Sequence, residues 1–423
     1  MENDRRNFIK NSTLAGMGIF SGSFLDLYAQ TPFSNISLPM NNAPELNLIG
    51  SYGPWAKSLY LEQIPSLSFR NQKFTELSDW KQTATERVKG RMGVLDLGEV
   101  PKVTVHNTIL FDGLICEEIS YQLPYGMPTK AVILKPQNAT GKLPAILGLH
   151  CHGGNKFLGL EKITKTTDDL PPYISAHHAT YYEGKAWANE AAKRGYVVMV
   201  HDAFAFASRR VKIEDVPEVI RGEISDFSLD TIEKINAYNT WASSHEHILA
   251  KSLFSAGTTW PAVFLAEDQV ALSILASRND VDQERMGCAG LSGGGLRTVM
   301  LGGLDSRISC AIAVGFMTTW TDFLLYKSFT HTWMSYVPIL PQELEFPEIL
   351  GLRAPLPTMV LNNTEDNLFT LEEMNKADRI LQDIFKKADA IDKYRCSFHP
   401  GPHKFDLAMQ KEAFDWFDNW LKS

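Results

Sequence analysis

One serine has the setting that nucleophilic chemistry requires. Ser292 lies in the run Gly290-Leu-Ser-Gly-Gly294, which follows a short apolar segment and precedes a segment of helical character. Glycines two positions to either side leave room for a tight strand-to-helix turn that pushes the hydroxyl out of the chain. The free N–H groups of a following helix also favour negative charge. Ser292 is therefore a candidate nucleophile, and the alternative is a glycine-rich loop that simply enters a helix.

A serine hydroxyl also needs a base that takes its proton and an acid that holds that base. Asp366 and His403 follow Ser292 in the chain, and each comes just after a predicted buried strand. The order Ser, Asp, His at strand ends predicts a Ser-His-Asp triad. Glu365 is the rival acid and His399 is the rival base.

The elements around these residues predict an α/β fold. Period-two patterns indicate antiparallel strands at residues 103–110, 116–123 and 129–134, joined by hairpins. After them, buried strands at 144–149, 196–200, 286–291, 308–314, 358–361 and 394–398 alternate with helices at 183–194, 262–277, 371–387 and 405–421. This alternation predicts a mostly parallel sheet with helices on both faces, and sites in such sheets lie at the carboxyl ends of the strands.

Two connections are too long to be plain loops. Residues 155–180 and 204–260 are predicted to be insertions that act as a lid or as specificity walls, the alternative being peripheral decoration. The second is charged and is predicted to be helical over residues 211–239. Residues 31–101 are predicted to be an N-terminal extension outside the main domain, which spans residues 102–423.

The first thirty residues resemble a bacterial Tat export signal. They contain the pair Arg5-Arg6, a mildly apolar stretch, and Leu27-Tyr-Ala29 as a doubtful cleavage site. The apolar stretch is short for a membrane span, and no later segment is long enough. We therefore expect an exported protein, periplasmic or extracellular, with no stable span in the mature chain; an uncleaved tether and a surface helix are the alternatives.

Composition narrows the class of protein. The chain has 423 residues, 44% of them hydrophobic and 21% charged, which is typical of a soluble globular protein. Its formal net charge of -8, without a basic stripe, argues against a nucleic-acid partner. Five dispersed cysteines indicate buried free thiols rather than a disulfide framework, with a single disulfide left open. No pattern indicates an oligomeric state.

From residue 102 to the end, the chain resembles the α/β-hydrolase superfamily, and within it the branch of dienelactone-hydrolase-like and acetyl-xylan-esterase-like proteins. Four landmarks carry the resemblance, in the order that the branch shows: His150-Cys-His-Gly-Gly154, Arg194-Gly-Tyr-Val-Val198 leading to Asp202, Asp280-Val-Asp-Gln-Glu-Arg285 before the Ser292 turn, and Pro400-Gly-Pro-His403. The resemblance implies that Ser292 is the nucleophile, Asp366 the acid and His403 the base.

The resemblance also implies where an oxyanion would bind. Such an oxyanion needs preorganised donors. The backbone N–H of Gly293 is the expected first donor, and the loop from His152 to Asn155 is expected to supply the second. Gly153 and Gly154 are the candidates in that loop.

Other side chains allow different interpretations. Histidines that could bind a metal occur in four groups: His150-x-His152, His177-His178, His201-Asp202 and His245-x-His247. A catalytic metal would leave Ser292, Asp366 and His403 without a role, so we expect neither a metal nor a cofactor. Aromatic residues that could wall an acyl or sugar pocket, or form a lid core, are Phe204, Phe206, Trp260, Trp320, Trp333 and Tyr336. Arg209-Arg210 could meet an anionic substrate, the alternative being a solvated pair.

These observations predict an exported serine carboxylesterase that acts on a small-molecule or glycan ester, such as an acetylated polysaccharide. One alternative is a peptidase of the prolyl-oligopeptidase kind, although no propeller repeat is visible in the first hundred residues. The other is a non-catalytic hydrolase-like binding protein.

Overall fold

Nine strands form one mixed sheet. The computed structural model describes residues 46–60, 64–222 and 224–422. The strands are β1 (Val103–Phe111), β2 (Leu114–Tyr121), β3 (Thr129–Pro136), β4 (Leu143–Gly148), β5 (Val197–His201), β6 (Val281–Leu291), β7 (Cys310–Val314), β8 (Thr358–Asn363) and β9 (Tyr394–His399). Their order is β1-β2-β3-β5-β4-β6-β7-β8-β9. Strands β1, β2, β3 and β5 pair antiparallel, and every pair from β5 to β9 is parallel.

Helices cover both faces of this sheet. They are α1 (Gly53–Ser58), α2 (Leu77–Met92), α3 (Pro172–Tyr182), α4 (Trp187–Lys193), α5 (Glu218–Arg221), α6 (Ile232–Ser255), α7 (Trp260–Ala276), α8 (Gly293–Leu304), α9 (Phe346–Gly351), α10 (Leu371–Lys387) and α11 (Leu407–Leu421). In β4, Ala145 and Leu147 face the core formed with α7, α8 and α10, while Ile146 faces the core formed with α4 and α11. The two-sided burial explains why the parallel strands have continuous apolar sequences, and it confirms the predicted fold class.

The helix predicted at residues 183–194 is wrong at its start. Glu183 has φ 52° and Gly184 has φ 80°, both in the left-handed region, so the chain leaves α3 in a turn there. Helix α4 begins only at Trp187. By contrast, α10 has the bounds that the apolar periodicity predicts.

The second insertion folds differently from its prediction. Within residues 211–222 and 224–230, which the structure describes, there are only short helical turns, and Pro217 and Gly222 bracket the four-residue helix α5. The long helix α6 begins at Ile232, where the Thr231 side chain accepts a hydrogen bond from the Lys234 N–H. The helix predicted from residue 211 therefore starts too early. A charged segment is not enough for a helix, and α6 begins only where a capping residue and an apolar face are present.

A third long connection, residues 315–357 between β7 and β8, is absent from the sequence-based prediction. It contains a π-helical turn at Asp322–Tyr326, several 3-10 turns and helix α9. Its residues Trp320 and Phe323 are buried in the same core as α7 and α8. The irregular backbone has no period, which explains why the sequence did not reveal it.

The described residues before the first strand share the main core. Trp80 on α2 is fully buried, stacks on Phe69 at 4.7 Å between ring centroids and donates to the Leu67 carbonyl at 2.7 Å. The described residues from Asn47 onward belong to one compact unit. The boundary near residue 101 stays a prediction, and the Tat-like segment lies outside the described residues. No helix within the described ranges combines the length and apolar character needed to cross a bilayer.

The cysteines are free thiols. Cys116, Cys151, Cys288 and Cys310 are buried, and Cys396 is half-buried. Burial raises the pKa of the Cys116 thiol to about 11. Such thiols behave as small apolar side chains.

Candidate active site

Ser292 stands at a strained turn between β6 and α8. Its φ is 60° and its ψ is -119°, a conformation that a residue with a side chain rarely adopts. The glycines around it are required by close packing, because a Cβ on Gly290 or on Gly294 would overlap the Leu149 carbonyl oxygen at the end of β4. The turn therefore presses against the neighbouring strand and leaves the serine half-buried at the carboxyl edge of the sheet.

Asp366 and His403 meet beyond the ends of β8 and β9. The Asp366 Oδ2 lies 2.6 Å from His403 Nδ1, and Asp366 Oδ1 accepts a hydrogen bond of 2.9 Å from the Leu368 N–H. A carboxylate at Nδ1 holds the proton on that nitrogen and leaves a lone pair on Nε2. His403 Nε2 is buried and has no hydrogen-bond partner in the described part of the chain. It can therefore accept a proton.

The Ser292 turn and the His403 ring both contact the residues at the end of β7. The Ser292 N–H donates to the Val314 carbonyl at 2.9 Å. A Cβ on the next residue, Gly315, would lie 2.9 Å from His403 Cε1 and 3.0 Å from a methyl of Leu291. The structure thus brings all three predicted triad residues to adjacent strand ends.

The rival residues point elsewhere. Glu365 is exposed. His399 Nε2 is 2.8 Å from Glu412 Oε2 on α11, so this histidine braces the last strand against the last helix. Neither Glu365 nor His399 forms a hydrogen bond with His403, whose Nδ1 is paired with Asp366.

The loop after β4 reaches the Ser292 turn, and its backbone nitrogens differ in what they contact. The Gly154 N–H donates to His152 Nδ1 at 3.0 Å and so is not free, which corrects its assignment. Gly153 packs under the His177 ring, because a Cβ there would lie 2.5 Å from His177 Cε1. The backbone nitrogen beside Gly293 is that of His152, 3.0 Å from the position that a Gly293 Cβ would take.

Lys162 fixes the carbonyl groups of this loop, and no pattern in the sequence singles it out. Its Nζ donates to three carbonyls, those of Cys151 at 3.0 Å, His152 at 2.9 Å and Asn155 at 2.6 Å. The ammonium also lies 4.4 Å from the centroid of the Phe206 ring. Burial lowers the pKa of Lys162 to about 7. A single lysine in a long insertion has no pattern that would distinguish it.

Two of the histidines considered for a metal site, His150 and His201, are engaged in other contacts. His150 Nε2 accepts from the Ala203 N–H at 3.2 Å. His201 Nε2 lies 2.8 Å from Asp268 Oδ1, and Asp268 also pairs with Arg297 of α8. The described ranges contain no group of three or more His, Cys, Asp or Glu side chains arranged to hold a metal ion.

The arginine pair is not a solvated surface pair. Arg209 is buried and forms an ion pair of 2.7 Å with Glu267. Arg210 donates to the Ala207 carbonyl and lies over the Phe157 ring at 5.8 Å. Arg209 therefore has a structural role, because its guanidinium is already paired with Glu267.

An apolar cavity of about 360 Å³ lies against the third connection. Three of the six predicted aromatic wall residues, Trp320, Trp333 and Tyr336, line it together with Phe254 of α6. Phe206 instead lies under the loop after β4, and Phe204 packs on Trp260 at 5.5 Å. Three of the six aromatic residues therefore border a cavity and the other three pack in the core, while a role of the cavity in binding an acyl or sugar group stays a prediction.

Part of the chain matches a known protein family, and a longer part matches a known protein. Residues 263–423 match the model of the prolyl oligopeptidase family. A Bacillus subtilis (strain 168) protein named "Putative hydrolase YtaP" is 25% identical over 294 residues, which are 69% of this chain and 83% of that protein.

Solved structures show the same fold. A protein from Bacteroides fragilis named as a putative acetyl xylan esterase superposes with a TM-score of 0.59 at 16% identity, covering 85% of this chain and 84% of that one. A glucuronoyl esterase from Solibacter usitatus gives 0.56 at 12% identity, covering 84% and 97%. The chain has the α/β-hydrolase fold. With the family match across the elbow and the last strands, it is a serine hydrolase.

Proposed function

We propose that the protein is a carboxylesterase in which Ser292 is the nucleophile, His403 the general base and Asp366 the acid that orients it. One observation carries the proposal: Asp366 Oδ2 lies 2.6 Å from His403 Nδ1, and the opposite ring nitrogen is buried with no hydrogen-bond partner among the described residues. The ring lies next to Gly315, which follows the residue whose carbonyl accepts the Ser292 N–H. A buried nitrogen without a partner is costly in a structural histidine. A histidine that takes the proton of a serine hydroxyl, by contrast, needs such a free nitrogen.

The reaction follows from these positions. His403 Nε2 takes the proton of the Ser292 hydroxyl as its oxygen attacks the ester carbonyl, and Asp366 stabilises the imidazolium. The tetrahedral oxyanion accepts hydrogen bonds from the N–H groups of Gly293 and His152. His403 then protonates the departing alcohol oxygen, which leaves an acyl group on Ser292. Water, activated by the same nitrogen, releases the acid and restores the serine.

A carbohydrate ester is the proposed substrate, and export the proposed destination. Two solved structures with this fold are named as a putative acetyl xylan esterase and a glucuronoyl esterase, which supports the proposal. The twin-arginine segment at Arg5-Arg6 supports export to the periplasm or beyond. The aromatic cavity suits the apolar face or substituent of such a molecule.

Peptide hydrolysis is the second candidate, since the family match is to prolyl oligopeptidases. It uses the same triad and differs only in the leaving group. A panel of acetylated, methylated and feruloylated glycans beside short proline-containing peptides separates the two. The proposal expects kcat/KM for one glycan ester to exceed that for every peptide; the reverse order would replace the esterase by a peptidase.

The mechanism is tested by Ser292→Ala. With p-nitrophenyl acetate we expect kcat to fall by about 10³ to 10⁶ while the far-UV circular dichroism stays unchanged. Turnover at the wild-type rate in the folded variant would contradict the proposal and favour a non-catalytic role or a different nucleophile.

A further inference from the structure

A buried carboxylate on α6 is connected to the loop that lies beside the elbow. Glu246 is 5% exposed, and its Oε1 lies 3.0 Å from His152 Nε2. Because His152 Nδ1 accepts the Gly154 N–H, the ring proton must sit on Nε2, which then donates to Glu246. A continuous path of hydrogen bonds therefore runs from the second insertion to the loop after β4.

We propose that Glu246 is a positioning residue for the oxyanion hole: by accepting from His152 Nε2–H it fixes the loop whose His152 N–H, with that of Gly293, binds the oxyanion. The inference rests on the proposed function. It gives the 204–260 insertion a task in the chemistry, beyond that of a wall. Glu246 itself touches no reacting atom and acts through His152.

The carboxylate is built to stay charged in this place. Lys156 is 3% exposed, and its Nζ lies 2.5 Å from Glu246 Oε1. Burial opposes ionisation of Glu246, but the hydrogen bond from His152 and the charge of Lys156 outweigh it and lower the pKa to about 2. A carboxylate accepts a stronger hydrogen bond than a neutral group does. Glu246 therefore remains an ionised acceptor through the neutral range.

Lys156 is in turn fixed by aromatic rings. Its Nζ lies 4.8 Å from the centroid of Phe206 and 5.1 Å from that of Trp260. Rings at these distances attract a desolvated ammonium. The position of Glu246 is thus set by a rigid, buried environment, which is what a positioning group needs.

The other oxygen of Glu246 faces the third connection. Its Oε2 lies 3.4 Å from the backbone nitrogen of Trp333, whose side chain lines the apolar cavity. Phe254, another cavity residue, follows Glu246 by eight positions on α6, or about 12 Å at 1.5 Å per residue. One carboxylate therefore joins the loop beside the elbow, the helix and the cavity wall.

Loop geometry alone does not require Glu246. The carbonyls of the loop are already held by Lys162. Glu246 instead fixes the orientation of the His152 side chain. The His152 ring in turn fixes the Gly154 N–H, which donates to its Nδ1. Displacement of the ring would release the Gly154 N–H and loosen the loop on the side that Lys162 does not hold. We expect the loss to be felt where charge develops, in kcat rather than in KM.

The test is a double-mutant cycle on kcat with p-nitrophenyl acetate. We expect Glu246→Ala and His152→Ala each to lower kcat by about 10- to 100-fold, less than the loss of a whole oxyanion donor, and to change KM by less than about threefold. If Glu246 acts through His152, the double variant has the kcat of His152→Ala alone. Glu246→Gln keeps an oxygen acceptor and should retain kcat within about fivefold of wild type.

Controls separate this role from folding and from the proposed function. His247→Ala, at an exposed neighbour on α6, should leave kcat and KM unchanged. Where Glu246→Ala does not fold, His152→Asn carries the test, since its side-chain oxygen can still accept the Gly154 N–H but cannot reach Glu246. Fully additive losses, or wild-type kcat in folded Glu246→Ala or His152→Asn, would overturn the proposal. Loss of activity in Ser292→Ala beside these results would leave the esterase mechanism standing.

Discussion

Asp366→Asn is the change whose consequence the structure defines most closely. Two hydrogen bonds fix the carboxylate: Oδ1 accepts the Leu368 N–H at 2.9 Å, and Oδ2 meets His403 Nδ1 at 2.6 Å. An asparagine must keep its oxygen on the Leu368 N–H, because two donors cannot face each other. Its NH₂ group is then directed at His403 Nδ1.

The imidazole must respond by changing tautomer. Nδ1 becomes the acceptor, the proton moves to Nε2, and His403 can no longer take the proton of Ser292. The same replacement in a Ser-His-Asp triad lowers kcat by about 10⁴-fold, which is about 5 kcal/mol of transition-state stabilisation. Because Asn is isosteric and Asp366 is 5% exposed, we expect a small change in stability.

The assay is steady-state hydrolysis of p-nitrophenyl acetate at pH 7 to 8, with the melting temperature measured on the same samples. The matched control is Glu365→Gln, which removes the same charge from the exposed neighbouring residue and should keep kcat within about twofold. A kcat for folded Asp366→Asn within tenfold of wild type, or an equal loss in Glu365→Gln, would refute the assignment of the acid.

Three further outcomes are expected. Gly294→Ala should cost several kcal/mol or abolish soluble expression, since its Cβ would overlap the Leu149 carbonyl, whereas Gly98→Ala, with φ 76° and open space around it, should cost only about 1 to 2 kcal/mol in urea unfolding. Trp333→Ala should lower kcat/KM for aryl or long-chain esters by about tenfold more than for acetyl esters, and equal losses for both would exclude the cavity from substrate binding. Lys162 has a pKa near 7 in the fold and an ordinary, higher value when unfolded, so the unfolded chain binds the extra proton above pH 7. The free energy of unfolding of the wild type should therefore increase between pH 7 and 10 by up to about 1.4 kcal/mol per pH unit more than that of Lys162→Met. Parallel pH curves for the two proteins would contradict the lowered pKa of Lys162.

The sequence predicted those parts of the site that lie at the ends of regular elements. Ser292 and Asp366 each follow a buried apolar strand, and parallel strands end at one edge of a sheet. The strand before His403 is also parallel, but β9 lies at the edge of the sheet and only Tyr394 in it is buried, so its predicted burial was wrong. The turn around Ser292 is also recognisable in the sequence, because close packing on Leu149 requires glycine at the flanking positions.

The supporting residues could not be predicted in this way. Glu246 and Lys162 lie in long connections, where no period relates a residue to its place in space. The proposed donor, the His152 N–H, could not be chosen from the sequence, because the choice depends on loop geometry: the Gly154 N–H donates to the His152 ring instead of pointing at the Ser292 turn. Residues 315–357, which wall the cavity, were missed because their backbone is irregular.

The central claim is that Ser292 forms the covalent intermediate. Incubation of the protein with a fluorophosphonate, followed by peptide mass spectrometry, measures this directly, because such reagents label a serine that a general base activates. We predict stoichiometric labelling of the peptide containing Ser292, with parallel loss of esterase activity, and at least about a 10³-fold slower labelling in Asp366→Asn. Full activity after exposure to the reagent, or a label on another residue, would contradict the account.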